Sequence, residues 1–383
     1  MVGNYCNNSN KKFVSIFNKL ESVHLHKDVG QIPYQMHKHF GYDVEIVCRR
    51  NETQYKYINK ELTGLKLRFV FSSFYYLLLN ARKIDVLMLF HIKTETIYLG
   101  LLYKILNPNG FLYVKYDHAD PHILYSTWGN KNIIAQLKRS FYFYLFKQQL
   151  DLLSIECRKT YLKLTKIPDV KKMYLPNGFD PDIPSYYGIH PKPFEKKDNF
   201  ILLVGRHGSE AKNSELILDA LERMGDIGDW QVIFVGPMTK EFEQLKNTFV
   251  VKHPHFRNRV IFTGNIEDKK ELFDYYNRSK IFCLPSRWES WGLVCGEAIF
   301  FGNVLLMSDK VVSAYDLTND GQSGFVVASG NAAAWAEQLT ALLSNPSMLA
   351  DYSERASQHF TNNLIWKNIL NELHIKISEF YSR

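Results

Sequence analysis

The chain has 383 residues, which at about 150 residues per domain reads as two domains or three. Apolar residues make up 46% and charged residues 22%, which excludes wholesale disorder and collagen-like repeats. The net charge of +8 is lopsided: residues 1–195 hold 27 Lys and Arg against 16 Asp and Glu, or +11, and the remainder holds 20 against 23, or −3.

A basic half joined to a near-neutral half implies a division of labour, with an anionic substrate or surface facing the first. The longest uncharged apolar stretch, Phe69 to Ala81, falls short of the ~20 residues a membrane-spanning helix needs. The start, Met1 to Lys12, is polar and Asn-rich, so no secretory signal is expected. Five cysteines (Cys6, Cys48, Cys157, Cys283 and Cys295) are scattered without a CxxC pair. Neither a disulfide framework nor a zinc site is expected, and a reducing cytoplasm fits.

In chain order, strands are expected at Phe13 to Phe17, Val44 to Cys48, Asp85 to Phe90, Phe111 to Lys115, Leu152 to Ile155 and Lys172 to Leu175, with a helix from Gln31 to Phe40. Pro176, Pro181, Pro184, Pro191 and Pro193 then break any regular element. Beyond them, strands are expected at Phe200 to Gly205, Trp230 to Gly236, Arg259 to Gly264, Lys280 to Leu284, Val304 to Met307 and Phe325 to Ala328. Helices should cover Ser214 to Met224, Glu267 to Asn277, Leu293 to Phe301, Ala332 to Leu343 and the last two segments. Strands alternating with helices imply parallel, doubly wound α/β sheets, which bind ligands beyond the carboxyl ends of their strands. The expected domains are residues 1–180 on the acceptor side, a linker over 181–199, and 200–383, with the last helix able to pack back on the first domain.

Two segments could carry chemistry. In Val204-Gly205-Arg206-His207-Gly208-Ser209-Glu210-Ala211-Lys212-Asn213 a strand ends in glycine, and two cations follow six residues apart before a helix. Amide N–H groups at a helix start with Arg206 and Lys212 suit a diphosphate; taken alone, the segment is equally a turn with two solvated cations. In Pro285 to Ala298, Glu289 sits on a loop, Gly292 opens a helix, and Glu297 lies about one turn in. Exposed N–H groups of Gly292, Leu293 and Val294 favour phosphate oxygens, and Glu297 can accept from a vicinal diol such as ribose. The structural alternative leaves Glu289 a surface acid and Glu297 a partner of the helix dipole.

Gly205-Arg206, Lys212 and the Glu289-x7-Glu297 pair closely resemble the donor site of glycosyltransferase family four, retaining enzymes of the GT-B fold. Pro176-Asn177-Gly178-Phe179-Asp180 resembles that family's P-N-G-x-D segment, and Phe262-Thr263-Gly264-Asn265-Ile266 its base-recognition turn. The similarity covers nearly all of residues 150–345. It implies two Rossmann-like domains facing a central cleft, and transfer of a sugar from a nucleotide diphosphate with retention at the anomeric carbon. By position, Arg206 and Lys212 would stabilise the diphosphate leaving group, Glu289 would hold donor-sugar hydroxyls and Glu297 the ribose. Gly205, Gly292, Leu293 and Val294 would line the donor, with Ile266 at the base. His118 resembles the family's first-domain histidine, and Gly30 matches a loop where the family usually has two glycines. After Ser308 the family's Gly-Gly run and glutamate are replaced by Asp309-Lys310-Val311-Val312-Ser313-Ala314-Tyr315-Asp316, which leaves the donor sugar open.

Asp180-Pro181-Asp182 has a metal-binding DxD form but ends the P-N-G-x-D segment, so no metal is expected and no cofactor beyond the nucleotide-sugar donor. The acceptor would be a saccharide or lipid-linked glycan in O-antigen, capsule or exopolysaccharide synthesis. Nucleic acid is not expected as a partner. Lys131 to Lys147 and Arg68 to Leu79 mix cations with aromatics, which suits a peripheral place on an anionic membrane's inner face or, alternatively, a core with a basic coat. Two other functions share this architecture: a nucleotide-sugar epimerase and a non-catalytic binding partner.

Overall fold

The computed structural model describes residues 11–58, 60–117, 133–164 and 170–383. The chain divides into two compact units, Met1–Asn177 with Trp366–Arg383, and Gly178–Ile365.

The first unit runs β1 (Lys12–Ile16), α1 (Asp28–Phe40), β2 (Asp43–Cys48), β3 (Lys66–Phe69), α2 (Ser73–Asn80), β4 (Val86–Phe90), α3 (Thr94–Leu106), β5 (Phe111–Tyr116), α4 (Ile133–Gln149), β6 (Leu152–Ile155), α5 (Arg158–Leu164) and β7 (Lys172–Tyr174). Its seven described strands are ordered β3-β2-β1-β4-β5-β6-β7 and all described pairs are parallel. The chain moves outward from β1 through β2 to β3, then returns to β4 on the other side of β1. That reversal puts the topological switch point between β1 and β4. Strands such as Val86–Phe90 are apolar throughout and buried throughout, as a parallel sheet covered on both faces requires. α1 ends at Gly41, whose φ of 72° lies in the left-handed region that glycine enters without strain.

The second unit contains α6 (Asp182–Tyr186), β8 (Phe200–Val204), α7 (Glu215–Met224), β9 (Gln231–Val235), α8 (Lys240–Lys252), β10 (Val260–Gly264), α9 (Lys269–Arg278), β11 (Ile281–Leu284), α10 (Leu293–Phe300), β12 (Val304–Ser308), α11 (Ala314–Leu317), β13 (Gly324–Val327), α12 (Ala332–Leu343) and α13 (Pro346–His359). The sheet order is β10-β9-β8-β11-β12-β13, again parallel, with the switch point between β8 and β11. α7 lays Leu216, Ile217, Ala220 and Leu221 into a core that includes Trp230, Phe234 and Trp335.

The last helix, α14 (Trp366–Tyr381), belongs to the first unit. Trp366, Ile369, Leu370, Leu373 and Ile377 are buried in the same cluster as Ile32 and Met36 of α1. At about 1.5–3 kcal/mol for each large apolar side chain, this burial holds α14 on the first sheet's helical layer.

One strand has no counterpart in the sequence reading. β3 lies at the sheet edge with mostly exposed side chains, so it carries no buried apolar run to announce it. Its pairing is reinforced by charge: Lys66 Nζ reaches Asp43 Oδ1 at 2.6 Å and Arg68 Nε reaches Glu45 Oε1 at 2.5 Å. The Pro-rich stretch also has structure. Asp182 opens α6, donating its N–H to Asp180 Oδ1 at 3.0 Å, so Asp180-Pro181-Asp182 forms a turn.

Candidate functional site

The segments singled out in the second unit leave the carboxyl ends of β8 and β11, the two strands flanking its switch point. On the same side of the sheet Gly205 and Gly236 directly follow β8 and β9, and β10 ends in Gly264. The Gly205 N–H donates to Val235 O at 3.0 Å, and the Gly236 N–H to Gly264 O at 2.8 Å. A Cβ on Gly236 would sit 1.9 Å from the Gly205 carbonyl oxygen, and its φ is 134°. Only glycine permits this backbone-to-backbone approach. Gly205 differs, because a Cβ there would meet only the Lys212 stem, at 3.8 Å.

His207 anchors the loop after β8. It is 1% exposed, and its Nε2 faces the Val235 carbonyl at 3.1 Å. That nitrogen therefore carries the proton, and Nδ1 accepts from the Ser214 hydroxyl at 2.8 Å. Burial lowers the imidazole pKa to about 4. Asn213, in the left-handed region with φ 52°, donates from Nδ2 to Pro285 O at 3.2 Å and accepts from Arg287 Nε at 3.1 Å. The Arg287 N–H in turn donates to Ala211 O at 2.8 Å. These bonds lace the β8 loop to the β11 loop. Lys212 Nζ then forms an ion pair with Glu289 Oε2, both side chains about three-quarters buried.

The Glu289 loop is held from its other side by residues 311–313. The Val312 N–H donates to Glu289 O at 3.0 Å, the Ser313 N–H to Ser290 O at 3.1 Å, and the Ser313 hydroxyl to Trp291 O at 2.5 Å. This clasp is built by the stretch that departs from the family pattern. Gly292, with φ 76°, is the N-cap of α10, and a Cβ there would meet Leu284 Cδ2 at 3.0 Å. The first-turn N–H groups of Leu293 and Val294 therefore have no intrahelical partner.

Glu297 is half-buried one turn into α10, and its charge adds to burial in raising the pKa of the buried Tyr276 phenol. Cys295, also buried, has its thiol pKa raised by burial and feels the charges of Glu289, Lys212 and Glu297. Those three residues therefore share one neighbourhood. Arg206 is exposed on the β8 loop and Ile266 half-buried beyond β10. In the first unit, Gly30 is buried in α1, where a Cβ would meet Leu25 O at 2.3 Å. Its lack of a side chain serves the packing of α1 on the preceding turn. His118 lies outside the described residues.

His207, Asn213 and Arg287 escaped the sequence reading. Each acts through bonds to backbone or side chains outside its own motif, so nothing in local spacing marks it.

Residues 189–359 match the family described as Glycosyl transferases group 1. The match lies within the second unit and spans nearly all of it. The lipopolysaccharide core biosynthesis mannosyltransferase LpcC of Rhizobium leguminosarum is 27% identical over 168 residues, 42% of this chain and 46% of that protein. The GalNAc-alpha-(1->4)-GalNAc-alpha-(1->3)-diNAcBac-PP-undecaprenol alpha-1,4-N-acetyl-D-galactosaminyltransferase of Campylobacter jejuni is 26% identical over 167 residues, 43% of this chain and 44% of that one. The chain thus matches under half the length of these curated relatives. Among solved structures, Anabaena HepE in complex with UDP superposes with a TM-score of 0.72 at 13% identity, covering 96% of this chain and 100% of that chain. At that identity the likeness speaks for fold alone, and the fold is GT-B, an α/β architecture of two doubly wound parallel sheets. The group 1 match contains the whole of the Gly205–Glu297 site.

Proposed function

We propose that the chain is a retaining glycosyltransferase that takes a sugar from a nucleotide diphosphate and gives it to a saccharide or lipid-linked acceptor in surface-polysaccharide synthesis. The observation that carries this reading is the Lys212–Glu289 pair set beside the open first turn of α10 at the switch point of the unit that carries the group 1 match. Relatives named for lipopolysaccharide and undecaprenol-linked glycan synthesis support the acceptor class.

On the donor, Arg206 and Lys212 take the diphosphate oxygens, joined by the N–H groups of Leu293 and Val294. Glu289 accepts from sugar hydroxyls, Glu297 from the ribose diol, and Ile266 flanks the base. Gly205 leaves the diphosphate room to approach the backbone. The Lys212–Glu289 ion pair holds both side chains in place before the donor arrives. As the glycosidic bond breaks, negative charge grows on the leaving diphosphate, where fixed cations and amide dipoles are worth most. These cations neutralise it without a metal; the acceptor hydroxyl oxygen bonds to the anomeric carbon on the face the diphosphate leaves, which retains the configuration, and its proton passes to the departing phosphate oxygen. HepE is described in complex with UDP, so uridine diphosphate sugars head the donor panel.

The test is transfer by Lys212→Ala and Glu289→Ala with each donor, with and without acceptor. Both variants are expected to lose about a hundredfold or more of the rate, the range seen when one such stabilising donor is removed. Undiminished turnover by either variant contradicts its role. Donor conversion without acceptor would indicate an epimerase, and donor binding without any turnover a binding partner.

The helical layer of α2, α3 and α4 adds a second element to the proposal. These helices pack side by side. They leave Phe74, Tyr75, Leu78 and Leu79 of α2, Tyr98 and Ile105 of α3, and Leu137, Phe141 and Tyr144 of α4 exposed. Arg82, Lys83 and Lys138 are exposed on or beside the same helices. Aromatics with flanking cations suit an anionic bilayer interface, which would place the chain peripherally on the cytoplasmic membrane.

A further inference from the structure

The first unit has its own cavity at its own switch point. About 480 Å³ in volume, it is lined by residues following β1 (Phe17, Asn18, Lys19), β2 (Arg49, Asn51) and β4 (His91, Lys93), with the start of α3 closing one side. This is within the size range of small-molecule sites, at the position where open α/β sheets bind ligands.

The polar groups of this cavity fall into two sets. The first holds the walls together. Asn51 Nδ2 donates to Asn18 O at 2.9 Å and Leu20 O at 3.2 Å, tying the β2 loop to the β1 loop. Asn18 donates to Glu95 Oε1 at 2.6 Å and accepts from the Ser73 hydroxyl at 2.6 Å, fixing the starts of α3 and α2. His91, in the left-handed region with φ 54°, is ion-paired with Asp117. Among the described residues Glu95 is the one carboxylate on the lining, and its Oε1 accepts from Asn18.

The second set is Lys19, Arg49 and Lys93. All three are on the cavity rim, and among the described residues none has a carboxylate within salt-bridge distance. Between them the floor is apolar, with Phe17 and Phe90 in an edge-to-face pair 5.3 Å apart. Such a surface matches the C–H face of a pyranose, while three uncommitted cations at the rim match an anion attached to it.

We propose that this cavity binds a saccharide carrying an anionic group, as the acceptor subsite. The role as acceptor subsite rests on the glycosyl-transfer reading above; the binding does not. Phe17, backed by the buried Phe90, meets the C–H face of the sugar, and Arg49, Lys93 and Lys19 take the anion. The selected acceptor is therefore a charged sugar rather than a neutral one.

Calorimetric titration of the full chain tests this with glucose, galactose and mannose 1-phosphates, the corresponding methyl glycosides, glucuronate and inorganic phosphate. UDP serves as the probe of the other unit. At least one sugar 1-phosphate or glucuronate is expected to bind about tenfold or more tightly than the methyl glycosides and inorganic phosphate, the scale of one charge-assisted hydrogen bond. Whether a 1-phosphate or glucuronate leads assigns the anion to a phosphoryl or a carboxylate group. An Arg49→Gln/Lys93→Gln variant should lose about tenfold or more for that ligand and keep its affinity for UDP. Lys212→Ala should do the reverse. Failure of UDP to bind, with the charged sugar still dependent on Arg49 and Lys93, would overturn the donor reading and leave this binding site standing. The site is overturned if no charged sugar binds, if methyl glycosides bind as tightly, or if binding ignores Arg49 and Lys93 but needs Lys212.

Discussion

His207 couples the stability of the donor-side loop to pH. Its imidazole is neutral in the fold, with Nε2–H given to Val235 O and a pKa lowered to about 4 by burial, against about 6.5 in an unfolded chain. Between those values the unfolded chain takes up a proton that the native state refuses, so this contribution is fully present above pH 6.5 and is lost as pH falls toward 4. The loss is on the order of 3 kcal/mol at the low end. Thermal unfolding from pH 7 to 4 should show a shallower decline for His207→Gln than for the unaltered chain; identical slopes would contradict the assignment. At this scale the sequence was half legible. Lys212, Glu289 and Glu297 stood out because charged groups recur around a glycine after a strand. His207, Asn213 and Arg287 did not, because their partners at Val235, Ser214, Pro285 and Ala211 become neighbours only when loops from separate strands meet.

At the level of elements, the buried strands were readable and the edge strand was not. Val86–Phe90 and Phe200–Val204 are apolar runs bounded by turns, whereas Lys66–Phe69 alternates charge with half-exposed apolar groups and is secured by ion pairs to β2. The apolar stretch Phe69 to Ala81 likewise divides, because Ser72 caps α2 by accepting from the Tyr75 N–H at 3.4 Å. α14 yields the prediction at this scale. Trp366 is 2% exposed within the first unit's core, and its replacement by alanine should cost about 3–5 kcal/mol. Amide hydrogen exchange should then show protection lost in α1 and α14 and kept in α7. Unchanged protection in α1 would mean that α14 contributes nothing to that core.

For the whole molecule, the doubly wound character of both halves was legible from the alternation of strands and helices, and the charge asymmetry from a count. The sequence could not divide the aromatics of the basic half between core and surface, because periodicity alone does not say which helix face is covered. Phe146 is fully buried while Phe141 and Tyr144, in the same run, are exposed. The exposed layer gives a direct expectation: the chain should float with phosphatidylglycerol vesicles and less with phosphatidylcholine. Phe74→Asp/Leu78→Asp should abolish the flotation, and equal flotation of this variant would remove α2 from the contact. The central claim, that the second unit grips a nucleotide diphosphate sugar, is tested most directly by a crystal structure with the donor bound. The account predicts diphosphate oxygens within hydrogen-bond distance of Arg206, Lys212 and the N–H groups of Leu293 and Val294, with Glu297 on the ribose. A donor bound elsewhere, or those four groups turned away from it, would contradict the account.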